Sequence, residues 1–386
     1  MVPPRIAHVF STFDHGGAEA RATRLMNHWG DQLNHAILVG VPEAMGARDA
    51  IDAAVTATFP VEAAALVVGV PGLARLYKIA QSLIGFSLIL TYSWGAMDVV
   101  MAHRLFGKRF KLAPLIHHED GFTEPEPTLR NWQRHSFRRI ALQSSHALVV
   151  PSHMLAQVAR DKWHVPEQKI MRIPNGIDVE SFTHGQRAGS LAGLADAKAA
   201  GRVVVGTVAG LRPVKNLPRL VRAVAQTGLD MHLVIAGDGS ERDAIMQEAE
   251  RTGIANRVLL PGFLKNPADY MGHFDIFALS SDCEQYPLAM VEAMAAGLPV
   301  VSTDVGDVRQ MVSAANLPFI VPVQDEAALA GALRTLAGNA ALRAKLGAEN
   351  RARAVADNQE QVMFAAYERL YGRAMGTGAF PHAVAA

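Results

Sequence analysis

One cysteine, Cys283, is all that the 386 residues hold, so no disulfide can form within the chain and the composition suits a reducing compartment. A lone thiol with no base partner in the sequence reads as a packing residue, not a nucleophile. No apolar run reaches the roughly 18 residues that a membrane-spanning helix needs. The opening MVPPRIAHVFSTF lacks the apolar core of a signal peptide. Formal net charge is +1, too weak a field to recruit nucleic acid. No Asp-x-Asp pair and no His/Asp set with metal-ligand spacing stands out, and there is no low-complexity tract or short-period repeat. What remains is a cytoplasmic, globular chain, 50% hydrophobic and 19% charged, long enough for two domains with ample core.

Strand and helix patterns alternate throughout. Strands over 6–10, 35–40, 88–92, 112–116, 147–150 and 170–173 are separated by helices over 18–29, 73–83, 96–106, 132–143 and 154–163. The turn 174–178, PNGID, then breaks the pattern. A second alternation begins with a strand at 203–208 and a helix at 220–226. It continues with strands at 231–236, 258–260, 275–279 and 298–302, and helices at 242–251, 327–337 and 342–356. A last helix covers 361–375, with Val362, Ala365, Ala366 and Leu370 as its apolar face, and the tail from Gly376 looks frayed. The alternation predicts α/β architecture: two doubly wound, Rossmann-like domains facing across a cleft, over 1–174 and 182–357, with a linker at 174–182.

The stretch SDCEQYPLAMVEAMAAGLPVVSTDVG, 281–306, organises the rest. Glu284 falls in a loop, Pro287 at a first helical position, and Glu292 inside the helix that Gly297 and Pro299 stop. A helix N-terminus suits a phosphate, and a carboxylate one turn inside can accept the hydroxyls of a ribose diol. Taken alone, either glutamate reads as a surface charge. In the first domain, Gly16-Gly17 between strand and helix lets backbone approach an anion, or is a plain tight turn. In the second, Gly210, Arg212 and Lys215 occupy the first βα loop, where two cations suit a diphosphate; the alternative is a solvated loop. IAGDGSER places Gly237, Gly239 and Arg242 at the next junction, a weak nucleotide-loop signal.

Together these residues resemble a retaining family-4 glycosyltransferase of the two-Rossmann-domain, GT-B type. The matching parts follow in order: Gly16-Gly17 with Glu19, His117-His118, IPNGIDVESF, GxLRPVKN, IAGDGSER, and Glu284-x7-Glu292 with the small residues and strand after it. The resemblance implies a sugar moved from a nucleotide-diphosphate sugar to an acceptor hydroxyl, in polysaccharide or glycolipid assembly. It makes the first domain the acceptor side, with helix 361–375 packing back on it, and the second the donor side. By the same resemblance, Arg212 and Lys215 hold the diphosphate, Glu292 the ribose, and Glu284 contacts the transferred sugar. Gly17 approaches the phosphate, with Gly16, Gly210, Tyr286 and Leu288 lining the donor site. His118 or His117 contacts the donor sugar, and Asp120 is a third candidate there. No metal and no cofactor is implied; the nucleotide sugar is a substrate.

Three departures stand out. Gln285 replaces a small residue, which bears on donor-sugar preference. Lys215 is followed by Asn216 where glycine is usual, a mild change because Asn tolerates left-handed backbone. HHEDGF, 117–122, carries two adjacent histidines that point opposite ways on a strand, so one is expected to enter the cleft and the other to sit in the core. A sugar-nucleotide epimerase on the same architecture, or an inactive nucleotide-sugar-binding protein, are the alternative readings. Two basic stretches suggest peripheral contact with an anionic inner membrane leaflet and a lipid-linked or oligosaccharide acceptor. The first combines Arg104, Lys108, Arg109 and Lys111 with Leu105, Phe106 and Phe110. The second combines Arg130, Arg134, Arg138 and Arg139 with Trp132 and Phe137. The alternative is a solvated face with its aromatics turned into the core.

Overall fold

The computed structural model describes residues 3–14, 16–60, 69, 72–121, 128–184, 191, 194 and 200–377. Of the positions named above, Met1, Val2, Phe122, the tail after 377 and the side chain of Arg130 lie outside the described residues, as do His15 and most of 185–199. The chain divides into two compact units, Met1–Asn175 with Gln361–Ala386, and Gly176–Glu360.

In the first unit, β1 (Arg5–Phe10), α1 (Gly17–Trp29), β2 (Asn34–Val39), β3 (Thr56–Thr58), α2 (Leu73–Ser82), β4 (Leu88–Tyr92) and α3 (Met97–Phe110) come first. They are followed by β5 (Leu115–His118), α4 (Thr128–Ala141), β6 (Ala147–Val150), α5 (His153–Asp161) and β7 (Ile170–Arg172). The strands form one sheet in the order β3-β2-β1-β4-β5-β6-β7, and each neighbouring pair is parallel. Helices cover both faces, which is why β1, β4, β5 and β6 read as continuous apolar runs instead of alternating. Ile6, Phe10, Ile37 and Leu90 pack with Leu25, Met26 and Trp29 of α1. Ala7, Val9, Ile89 and Leu115 turn the other way, onto Leu76 and Ile79 of α2 and Val99 and Val100 of α3. β5 starts three residues later than the sequence suggests, because Pro114 has no N–H to give a ladder and pairing begins at Leu115. His117 and His118 are therefore its last two residues instead of following the strand.

The second unit repeats the plan. β8 (Val204–Val208), α6 (Leu217–Gln226), β9 (His232–Ala236), α7 (Arg242–Arg251), β10 (Val258–Gly262), β11 (Ile276–Leu279) and α8 (Leu288–Ala295) lead to β12 (Val300–Thr303), α9 (Val308–Met311), β13 (Ile320–Val321), α10 (Glu326–Ala337) and α11 (Ala340–Asn358). The strand order is β10-β9-β8-β11-β12-β13. The order reverses between β8 and β11, where Val205 pairs with Ile276 and Gly206 with Phe277. The loops after these two strands thus leave the sheet side by side, at the place where open α/β sheets bind ligands. Ile177, Val179 and Phe182 are buried in this unit's core, and Ile177 bridges to Gln359, so the segment after Asn175 belongs to the second unit.

The last helix, α12 (Glu360–Met375), packs on the α1 face of the first unit. It does so through Met363, Phe364, Tyr367, Leu370, Tyr371 and Ala374. The face anticipated from the sequence is rotated: Val362 is 57% exposed. Three aromatic rings bury far more area than the alanines of the anticipated stripe, and they decide which side turns inward. Fully burying such a side chain contributes about 1.5–3 kcal/mol, so together these residues rival the whole stability of a domain, about 5–15 kcal/mol. A chain ending at Glu360, which leaves the second unit whole, should lose cooperative unfolding of the first unit. Two resolved calorimetric transitions in the full chain, with one missing in the shortened chain, would show it.

Candidate active site

The switch point of the second unit is built from two loops tied together at several points. The Ser280 hydroxyl lies 3.0 Å from the carbonyl oxygens of both Lys215 and Asn216. The Asp282 N–H donates to the Val214 carbonyl at 2.9 Å. The Asp282 carboxylate takes Arg219 at 2.7 Å and the Asn216 side-chain amide at 3.1 Å, and Arg219 also donates to the Ser280 carbonyl. Asn216 stands at φ 44°, in the left-handed region, which asparagine enters at lower cost than most residues; the turn thus keeps its shape without glycine.

This frame brings Lys215 onto Glu284. The ammonium is 2.5 Å from Glu284 Oε1, and the side chains are only 15% and 10% exposed. The Ser281 hydroxyl donates to the same oxygen at 2.7 Å. Arg212, one turn earlier, is exposed and has no ion-pair partner among the described residues. Gly210 is exposed beside it. The glutamate loop is fixed from its other side by the end of β12: Thr303 donates to the Ser281 carbonyl at 2.7 Å and the Asp307 N–H to the Gln285 carbonyl at 3.1 Å. Gly306, at φ 55°, lets this contact close, since a Cβ there would meet the Glu284 carbonyl oxygen at 2.5 Å.

Helix α8 begins at Leu288, with Pro287 as its N-cap and not its first helical residue. Glu292, one turn in, is buried at 8% exposure. Burial, then the nearby Glu292 charge, pushes the Tyr270 phenol up and keeps it neutral. The Tyr286 hydroxyl accepts from Asn358 at 2.7 Å, and Leu288 rests against the unit's core. Burial raises the Cys283 thiol, and the Glu284 charge adds to this, so it stays protonated. Gly237 and Gly239 have a packing reason: a Cβ at Gly237 would lie 1.8 Å from the Ala209 carbonyl oxygen. Arg242 is used locally, donating to the Leu260 carbonyl.

In the first unit, Gly16 caps α1 and Gly17 opens it, with open space around the Gly17 α-carbon. Glu19 folds back over Gly16 toward its own backbone N–H. Burial, outweighing that hydrogen bond, pushes its carboxyl up to about 7. Asp120 is paired by both oxygens with the buried Arg21, which also donates to Asn175 at 2.9 Å. The two histidines do point opposite ways, yet both are buried, at 0% and 1% exposure, where one was expected to emerge.

His118 Nδ1 donates to the Thr91 carbonyl at 3.3 Å, so Nε2 accepts from the Tyr371 hydroxyl at 3.1 Å. Tyr371 is hydrogen-bonded to Tyr92. His8 Nδ1 is hydrogen-bonded to the Tyr92 hydroxyl at 3.1 Å, and His8 Nε2 to His35 Nδ1 at 2.9 Å. Burial, then the charges of Arg21 and His117, hold His118 well below the usual imidazole range. On the other face His117 meets the Thr91 hydroxyl at 2.9 Å. Arg138 lies between the rings of Trp94 and Trp163, at 4.8 and 4.9 Å, and pairs with Glu119 at 2.9 Å. It is 1% exposed and so does not belong to the basic surface to which the sequence assigned it.

Comparisons with known proteins follow this geometry. Residues 15–181 match the family model described as Glycosyltransferase Family 4, and residues 195–353 that described as Glycosyl transferases group 1. The two together span most of the chain. It belongs to the family-4 glycosyltransferases. Over 283 residues this glycosyltransferase is 25% identical to the N-acetyl-alpha-D-glucosaminyl L-malate synthase of Bacillus anthracis, covering 72% of this chain and 71% of that protein. Glycosyltransferase EpsF of Bacillus subtilis is 32% identical over 44% of each chain. A Campylobacter jejuni N-acetylgalactosaminyltransferase, named as acting on a diphospho-undecaprenol-linked sugar, is 29% identical over 51% of this chain and 52% of that protein. The matches thus span about half or less of the length of two of these relatives. Anabaena HepE, solved with UDP-glucose, superposes with a TM-score of 0.76 at 19% identity, over 95% of this chain and 99% of that one. Sucrose-phosphate synthase from Thermosynechococcus elongatus gives 0.75 at 19% identity, over 97% and 100%. At these identities the likeness shows the fold, which is GT-B.

Sequence reasoning named the charged residues of the second-unit site but not what holds them: Ser280, Asp282, Arg219 and Thr303. It also missed Arg21 and the titration of Glu19. A Ser-Ser-Asp run directly after an apolar strand was the available signal. Glu19 gives a testable consequence. Its folded pKa of about 7 lies above the ordinary 4.5, so the folded chain binds the proton more tightly than the unfolded one. Its contribution to stability is therefore fully present below 4.5 and declines as pH rises to about 7. Glu19→Gln, which keeps the size and the cap, should flatten that part of the stability curve. Urea unfolding across this pH range, with carboxyl NMR of the native chain, reads both the slope and the midpoint.

Proposed function

We propose that this glycosyltransferase moves a sugar from a nucleotide-diphosphate sugar to an acceptor hydroxyl, with retention, in polysaccharide or glycolipid assembly. The observation that carries the reading is the pairing of Lys215 with Glu284 at the switch point, with Arg212 beside it, exposed and without an ion-pair partner among the described residues, and Glu292 one turn inside α8. In this reading the bond from the anomeric carbon to the diphosphate oxygen breaks, the acceptor oxygen bonds to that carbon, and the acceptor's hydroxyl proton passes to the departing diphosphate. Arg212 and Lys215 meet the charge that grows on the departing diphosphate, Glu284 holds the sugar, and Glu292 accepts the ribose hydroxyls. Gly16, Gly17, Gly210, Tyr286 and Leu288 are proposed to line the donor, with Asp120 on the acceptor side. His118 and His117 take a packing role in place of direct sugar contact. HepE was solved with UDP-glucose, which supports a uridine diphosphate donor as the first probe. The name of the Campylobacter relative supports a lipid-linked acceptor.

Glu292→Ala should weaken binding of free UDP, because hydrogen bonds to a charged group are worth about 1.5–3 kcal/mol each. Calorimetric titration giving the native affinity would remove Glu292 from the site. Lys215→Ala and Arg212→Ala should lower turnover more than they lower UDP affinity, and activity should persist in EDTA. Conversion of the donor with no acceptor present would identify an epimerase instead.

Peripheral membrane contact is proposed through α3 alone. Arg104, Lys108, Arg109 and Lys111 are exposed beside Leu105, which is 48% exposed, while Phe106 and Phe110 meet Tyr77 edge to face at 5.4 and 5.1 Å. Among the described residues no helix is long and apolar enough to cross a membrane. Each cation near an anionic surface contributes about 1 kcal/mol. Co-sedimentation with anionic vesicles at low salt should be strong and should fall when Lys108 and Arg109 are replaced by Glu. Absence of binding to the native chain would favour a soluble acceptor.

A further inference from the structure

We propose that Ser281 is the residue that positions Glu284 during turnover; this rests on the reading of Lys215 and Glu284 as donor residues. Glu284 Oε1 takes two donors, the Lys215 ammonium at 2.5 Å and the Ser281 hydroxyl at 2.7 Å. Its Oε2 takes no hydrogen bond among the described residues, so one oxygen is anchored and the other is open to a ligand. The two anchors differ in kind. Lys215 is a mobile cation on a flexible stem, and a diphosphate competes for it directly. Ser281 is neutral and 1% exposed, and no diphosphate draws it away. Its backbone is pinned as well, because Thr303 donates to its carbonyl at 2.7 Å and the adjacent Ser280 is tied to the Lys215 loop. When a donor takes the ammonium, the Ser281 hydroxyl remains on Oε1 and keeps Oε2 directed outward. Buried as it is, Ser281 does not itself touch the sugar.

The test is Ser281→Ala in the full-length chain, with UDP as the binding probe and a UDP-sugar that the native chain turns over as the substrate. A hydrogen bond to a charged group corresponds to about tenfold or more in rate. The expected result is kcat lowered by that factor with UDP affinity within about twofold of native. A second readout separates orientation from mere packing. A carboxylate that loses a donor holds its charged form less well, so the acid limb of the kcat–pH profile should move to higher pH. Ser281→Thr, which restores the hydroxyl, should return both the rate and the limb toward native, and it serves as the folded reference if the alanine variant unfolds. Native kcat with an unmoved acid limb in Ser281→Ala overturns the proposal. So does a parallel loss of kcat and UDP affinity, which marks a loosened site and not a turned carboxylate. Lys215→Ala, run alongside, tells the two readings apart. If it leaves turnover unchanged, the donor-site reading falls and the proposal with it. If it lowers turnover while Ser281→Ala does nothing, only the role of Ser281 falls.

Discussion

The parallel pairing of β8 with β11 is the constraint on which the site depends. The strands are distant in sequence but adjacent in the sheet, so the loops that leave their carboxyl ends cannot avoid each other. One loop carries only cations, Arg212 and Lys215; the other carries Asp282 and Glu284. Opposite charges forced together at a sheet edge either pair or repel water at a cost, and here they pair. Ser280 takes up the Lys215 and Asn216 carbonyls, which would otherwise be left unsatisfied where the two loops pack, and the Asn216 side chain takes the Asp282 carboxylate.

The pairing also sets the electrostatics of the site. An ammonium and a carboxylate at 2.5 Å, each nearly buried, cancel one another, so no isolated charge has to be desolvated in the free protein. In the proposed reading Arg212, outside the pair, is the charge that an approaching diphosphate meets first. On that reading a diphosphate exchanges one partner of Lys215 for another instead of creating a new charged contact, so affinity is set by a difference between two pairings. The remaining lever is orientation, and that lies with neutral groups that do not exchange.

Much of this was legible in the sequence. The βα alternation was readable because parallel strands covered on both faces must be apolar runs, and β4 and β6 fall at 88–92 and 147–150 as the pattern requires. Turn and helix-stop residues placed Glu284, Glu292, Arg212 and Lys215 on their loops and helix, but only the family resemblance set them apart from surface charges. Asn216 was readable as a left-handed residue because the resemblance puts glycine there and asparagine tolerates that backbone. Contacts between distant segments were not. Gly237 looked like a nucleotide-loop glycine, but the Ala209 carbonyl above it supplies a packing reason. Arg138 looked like part of a basic surface, but Trp94, Trp163 and Glu119, from three other segments, enclose it. β3 and β13, of three and two residues, are too short to show any period. The inward face of α12 depended on which side chains fill space in a core whose partners lie at the other end of the chain.

The two units use their strand-end polar groups in opposite ways, and the available partners explain why. In the second unit cations and hydroxyls reach the carboxylates of Asp282 and Glu284. In the first unit His8, His35 and His118 sit at or near full burial with no carboxylate hydrogen-bonded to them, and burial drives each imidazole toward its neutral form. A neutral imidazole offers one donor and one acceptor, which is the requirement for a link in a chain. The Thr91 carbonyl fixes the His118 tautomer, so Tyr371 donates to His118, and the run of hydrogen bonds continues past Tyr92 through His8 to His35. A second proton on His118 would put two donors face to face and leave a buried charge unpaired. The carboxy-terminal helix is thus held not only by the area of its rings but by a hydrogen-bond sequence that it enters through Tyr371. That sequence makes His118 a joint between Thr91 and Tyr371, with no free ring nitrogen left to reach a sugar.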